Sequence, residues 1–201
     1  SLLTDQQSRG LDIRFVKEDI KSHKKYIYAL NEFKNDYVIT VDDDLYYDNK
    51  LIQNLIQLKE KYPYALPTNR AHLIQFDNRN KVAPYSKWYH NYQIEKQSLL
   101  LVPTGGFGTL YEFDQLYQTF DNQILIKELV PHADDLWIKI QSLLKNTQVV
   151  TNNRYNKDPI SVKSSQLEKL VSINVLRGAN DVQLRAVLDY FKMGNLENYK
   201  N

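Results

Sequence analysis

Apolar positions change their spacing several times along the chain, and each change predicts an element. Leu11 to Val16 alternates and is rich in strand formers, which reads as a strand. Ser22 to Phe33 then sets Tyr26, Ile27, Leu30 and Phe33 at helical spacing. Tyr37 to Val41 is a short unbroken apolar run, the pattern of a strand covered on both faces, and it stops abruptly at Asp42, Asp43 and Asp44. Asp48 is placed to cap a helix reaching to Tyr62, with Leu51, Ile52, Leu55, Ile56 and Leu58 on its buried face and Pro63 as its stop. This stretch therefore reads β-α-β-α, with acids at the end of a central strand.

Beyond Tyr64 the period changes. Ala71 to Phe76 and Ser98 to Val102 read as antiparallel strands, separated by a loop rich in aromatics from Pro84 to Tyr92. Pro103 to Gly108 interrupts regular structure. A helical stretch is expected near Phe113 to Thr119, the clearest amphipathic helix at His132 to Leu144, a short strand at Gln148 to Thr151 and a last helix at Asp181 to Phe191. Parallel strands first, then antiparallel strands with helices, predict an α/β fold whose site lies beyond the carboxyl ends of the strands. No repeat, low-complexity tract or linker divides the 201 residues, so they read as one domain.

Composition narrows the partners. The 26 basic and 24 acidic residues nearly cancel, which argues against nucleic acid as a ligand. The absence of cysteine excludes a disulfide framework and a thiolate metal site, and points to a reducing compartment, the cytoplasm. No apolar run approaches the roughly 20 residues needed to span a bilayer, so any membrane association is expected to be peripheral. Ser1 in place of an initiator methionine suggests processing or truncation. The 15 tyrosines suit sugar surfaces, but a biased genome would produce the same enrichment.

The strongest chemical signal is Asp42-Asp43-Asp44. Three carboxylates at the end of a buried strand repel one another unless a cation or several donors neutralise them. Hard oxygen ligands there suit Mg2+ or Mn2+, which would in turn clamp a diphosphate; the competing reading is a solvated acidic turn. Asp134 and Asp135 form a second pair in the first turn of a helix, where the helix dipole alone would stabilise them. Neighbouring helix positions point about 100° apart, so one acid can face a cleft and accept a proton while the other orients it. Gly105-Gly106-Phe107-Gly108 lacks the ending of a phosphate loop, and reads as backbone approaching a ligand or as a turn with unusual dihedrals. The segment Tyr85 to His90, with Trp88, offers either aromatic faces to a sugar or a satellite hydrophobic cluster. His132 lies near the acids in sequence. Lys24 and Lys25 are candidates to meet a phosphate, with a solvated helix face expected for at least one of them.

Taken together, Asp42-Asp43-Asp44-Leu45-Tyr46-Tyr47, Gly105-Gly106 and Ala133-Asp134-Asp135-Leu136-Trp137 resemble bacterial glycosyltransferases with the A-type fold, related to the large family-two group. The likeness runs from Leu11 to Phe191. It includes Lys24-Lys25-Tyr26, Pro84-Tyr85-Ser86-Lys87-Trp88, Asn174, and Asn180-Asp181-Val182-Gln183. It implies a mixed central sheet flanked by helices, with 1–63 as a nucleotide- and metal-binding half and 64–201 as an acceptor-side half. Asp42 and Asp44 would match the metal-binding ends of an Asp-X-Asp motif. Lys25, Asp42, Asp43, Gly105, Gly106 and Trp88 would contact donor or substrate. Asp135, with Asp134 beside it, would be the catalytic base of an inverting transfer from a nucleotide-sugar donor to a glycan or lipid-linked acceptor. The setting implied is surface polysaccharide synthesis at the inner face of the membrane.

Such enzymes open with an apolar strand and helix that form the pocket for the nucleotide base. Here the sequence starts just before what looks like the next strand, so an N-terminally truncated form of that fold is expected. A metal-dependent phosphoesterase and a degenerate sugar-binding module are the competing readings. The first would want more converging acids or histidines than a chain with four histidines offers.

Overall fold

Local signals place most of the helices. The computed structural model describes residues 2–152, 159–162, 178–194 and 196–200. Its helices are α1 (Leu2–Ser8), α2 (Lys24–Glu32), α3 (Leu51–Lys61), α4 (Gln123–Leu129), α5 (Asp134–Leu144) and α6 (Ala179–Tyr190). Its strands are β1 (Val38–Thr40), β2 (Leu45–Tyr46), β3 (Leu66–Pro67), β4 (Ala71–Leu73), β5 (Lys96–Ser98), β6 (Leu101–Pro103), β7 (Thr109–Tyr111), β8 (Val149–Thr151) and β9 (Ile160–Ser161). The class is mixed α/β, built on small sheets.

β1 pairs antiparallel with β7, β3 parallel with β8, and β8 antiparallel with β5. β4 pairs with β6 and β2 with β9, both antiparallel. An antiparallel bridge between Thr68 and Thr109 joins β7 to the residue after β3. β1, β3 and β8 therefore share a direction, and their carboxyl ends lie at one side of the layer. The main core runs from Ile20 to Leu196, with Trp137, Tyr26 and Tyr111 as its largest wholly buried side chains. Removing that apolar surface from water is the main favourable contribution to folding.

Several expectations fail for physical reasons. Leu11 to Val16 forms no strand: no described strand lies beside it to complete its backbone hydrogen bonds, and Phe15 is 96% exposed. β1 is not central among the described residues, since its one strand neighbour is β7, and the flanking Tyr37 and Val41 are exposed. In α3, Ile52 faces solvent, while Asn54 and Lys59 join Leu51, Leu55 and Leu58 on the buried face. Asp48 does not cap that helix; its carboxylate takes the Lys50 N–H at 2.8 Å in the turn before it. Phe113 to Thr119 yields only a 3-10 turn, Phe113–Gln115, closed by a capping box between Glu112 and Gln115. The helix comes later as α4, capped by the Asn122 side chain on the Leu125 N–H. α5 is not amphipathic in place, because it packs between β6 and α6 and is buried from Leu136 to Leu143. Asn174 lies outside the described residues.

Candidate active site

The site assembles where β1 ends. Thr40, the last residue of β1, donates its hydroxyl to the Gly105 carbonyl at 3.1 Å. Two residues on, the Asp42 N–H donates to the Tyr47 hydroxyl at 2.7 Å, and that hydroxyl donates to the Gly106 carbonyl at 2.5 Å. The turn of acids is thus tied to the glycine segment by two routes. Burial raises the Tyr47 phenol to about 12, keeping it protonated and able to donate.

Gly106 has a geometric reason to be glycine. A Cβ there would fall 2.1 Å from Asp42 Oδ2, so the carboxylate occupies the space that any side chain would need. Gly105 contributes its backbone instead: its N–H donates to Asp135 Oδ1 at 2.8 Å. Asp42 and Asp135, far apart in sequence, therefore flank the same two glycines.

Lys25 closes the group from α2. Its Nζ lies 2.5 Å from Asp42 Oδ1 and 3.7 Å from Asp134 Oδ2. Burial alone would favour the neutral amine, but Asp134 and then Asp42 outweigh it, and Lys25 is held above the ordinary lysine value. Lys24 points elsewhere, pairing with Asp19 at 3.0 Å on the exposed side. The placement of α2 depends on buried His23, which bridges Tyr26 OH at 2.7 Å and the Val130 carbonyl at 2.9 Å. Since a carbonyl only accepts, Nε2 carries the proton and Nδ1 accepts from Tyr26. Burial also lowers the His23 pKa, consistent with a neutral ring.

Asp135 is the electrostatically unusual group. Burial first, and the adjacent Asp134 second, raise its carboxyl from 3.8 to about 7, against the opposing pull of the Gly105 N–H, Lys25 and Arg70. It is thereby poised to exchange a proton near neutral pH. Arg70 sits nearby, its Nε donating to Thr104 Oγ1 at 2.9 Å and its guanidinium stacked over the Phe107 ring.

The other expected residues are placed less directly. Asp43 is exposed and Asp44 partly so, with the Asp44 carbonyl taking the Val162 N–H at 2.8 Å. Trp88 offers a sugar no open face: it is 4% exposed and part of the main core, and its indole N–H is donated to the Ala83 carbonyl at 2.9 Å. Tyr89 and His90 of that loop are exposed. The His132 N–H is bound by Gln183 at 2.9 Å, and the Tyr85 N–H by Asp181 at 2.7 Å, so α6 braces both sides of the site. Thr40 and Arg70 carry no sequence signal, because their partners Gly105 and Thr104 lie 65 and 34 residues away.

Among the described residues no three His, Cys, Asp or Glu side chains group as a metal site. Asp42 and Asp44 are of the donor type that Mg2+ or Mn2+ takes, one or two carboxylates completed by water and substrate phosphates, and Asp42 Oδ1 is here paired with Lys25. Among the described residues no helix is long and apolar enough to cross a membrane. No protein family, curated protein or solved structure matches the chain.

Proposed function

We propose that this chain is a glycosyltransferase with an A-type fold, moving a sugar from a nucleotide-sugar donor to a hydroxyl of a glycan or lipid-linked acceptor with inversion. The observation that carries the reading is the convergence of Lys25, Asp42, Gly105, Gly106, Asp134 and Asp135 at the carboxyl end of β1.

In this reading Asp135 accepts the proton of the acceptor hydroxyl as its oxygen bonds to the anomeric carbon. The bond from that carbon to the nucleoside diphosphate breaks, and its electron pair leaves with the diphosphate. The Gly105 N–H fixes the Asp135 carboxylate and Asp134 keeps its basicity high. Lys25 faces the leaving diphosphate with a charge retained by its acidic neighbours. A divalent ion held by Asp42 and Asp44 would add positive charge beside the diphosphate when bound.

Calorimetric titration of uridine and guanosine diphosphates, with and without Mn2+, tests the donor half. Binding that needs the ion and disappears in Asp42→Ala and Asp44→Ala supports the reading. Turnover is tested with nucleotide sugars against a phosphate ester. Release of the ester's phosphate without sugar transfer would replace the reading by a phosphoesterase, and sugar affinity without any turnover would replace it by a binding module.

A further inference from the structure

A second pocket lies at the other end of the strands. Buried Ala65 and Leu99 are among its lining residues, and the half-open groove holds about 680 Å³, within the range of about 300–1,000 Å³ usual for small-molecule sites. Ala65 and Gln148 precede β3 and β8, which run in the same direction as β1. The pocket therefore opens at the amino ends of these strands, whereas Asp42 follows the carboxyl end of β1. One small ligand cannot occupy both places.

The lining chemistry is distinctive. Exposed Gln97 and Asn146 and half-buried Gln148 border the pocket, and their side-chain amides, with no hydrogen bond among the described residues, are open to solvent and to a ligand. Each amide both donates and accepts, as pairs of sugar hydroxyls require. Tyr64, at the rim, is 90% exposed and presents an aromatic face to solvent. Lys61, the one charged residue among the described lining residues, is already paired with Glu95, which also takes the Tyr62 hydroxyl at 2.9 Å. Planar amides, an open ring and a compensated charge suit a ligand that is polar, uncharged and has one apolar face.

We propose that this pocket binds a neutral oligosaccharide, with Tyr64 against one sugar ring and Gln97, Asn146 and Gln148 on its hydroxyls. The inference goes beyond glycosyl transfer and does not require it. The pocket would hold glycan at a distance from the acids.

Cellohexaose, maltohexaose and chitohexaose, with hexagalacturonate as the anionic comparison, are titrated into the whole chain by calorimetry. At least one neutral hexaose is expected to bind, and to lose about tenfold in affinity in Tyr64→Ala, with a comparable loss in Gln148→Ala. Because Tyr64 is so exposed, its replacement leaves the core untouched, and circular dichroism checks that both variants fold. Binding should persist in Asp42→Ala, which separates this site from the donor site, where nucleotide titration is read independently. No binding by any neutral hexaose, equal or tighter binding of hexagalacturonate, affinity unchanged in both pocket variants, or loss of binding in Asp42→Ala would each overturn the proposal.

Discussion

Two ionisable groups one turn apart on α5 differ sharply in their surroundings. Asp135, in the first turn, has the Gly105 N–H at 2.8 Å and lies within the influence of Lys25 and Arg70. Lys139 is 0% exposed and its Nζ has no hydrogen-bond partner among the described residues. Burial alone lowers its pKa from 10.5 to about 7. Burial thus acts on both, upward on the acid and downward on the base. Only the acid sits where polar backbone and cations converge, and this is what separates a candidate reacting group from a buried charge that the fold merely tolerates.

The largest expected effect breaks the comparison at its reactive end. Asp135→Asn keeps an oxygen for the Gly105 N–H but removes the base, and turnover with a nucleotide sugar should fall about a hundredfold to ten-thousandfold. In the wild type, turnover should rise with pH through about 7 as Asp135 loses its proton. The same group acts on stability with the opposite sense. Between about 4 and about 7 the folded state binds a proton that the unfolded state has released, so this contribution to stability falls as pH rises, and chemical denaturation of Asp135→Asn should lack that slope.

Next comes the silent end of the helix. Lys139→Met removes a group whose protonated form is penalised by burial, at about 1.4 kcal/mol for each pKa unit displaced. The unfolded chain binds more protons than the folded one between about 7 and 10.5, so wild-type stability from this group rises with pH across that window. Lys139→Met should therefore be more stable by a few kcal/mol at neutral pH, with the advantage vanishing above 10.5, as read by urea denaturation at both pH values. An equal gain at both would mean that packing, and not charge, separates the two residues.

Smaller effects sharpen the reactive end. Gly106→Ala puts a Cβ 2.1 Å from Asp42 Oδ2, which must displace the carboxylate from Lys25; a loss of about 1–3 kcal/mol in thermal unfolding is expected, together with weaker diphosphate binding. Tyr47→Phe strands the Asp42 N–H and should cost about 1 kcal/mol, measured in the same way.

Much of this molecule was legible in its sequence where the signal is local. The spacing of Leu51, Leu55 and Leu58 with Pro63 behind them located α3 to within a residue or two at its end, and Tyr26, Ile27 and Leu30 located α2. The carboxylates and the glycine pair stood out by residue type and order. Tertiary structure decided the rest. Leu11 to Val16 has the composition of a strand, yet a strand exists only with a neighbour, and neighbours are not encoded in alternation. Lys24 and Lys25 are indistinguishable in the sequence until α2 is docked through His23, which turns one toward Asp19 and the other toward Asp42. Trp88 and Lys139 have types usually found partly exposed, and both are buried because strands and helices distant in sequence close over them. Helical period is a property of residues three and four apart, so sequence alone determined it. Strand partnership, side-chain burial and the meeting of Asp42 with Asp135 depend on contacts between residues tens of positions apart, and only the folded chain determines those.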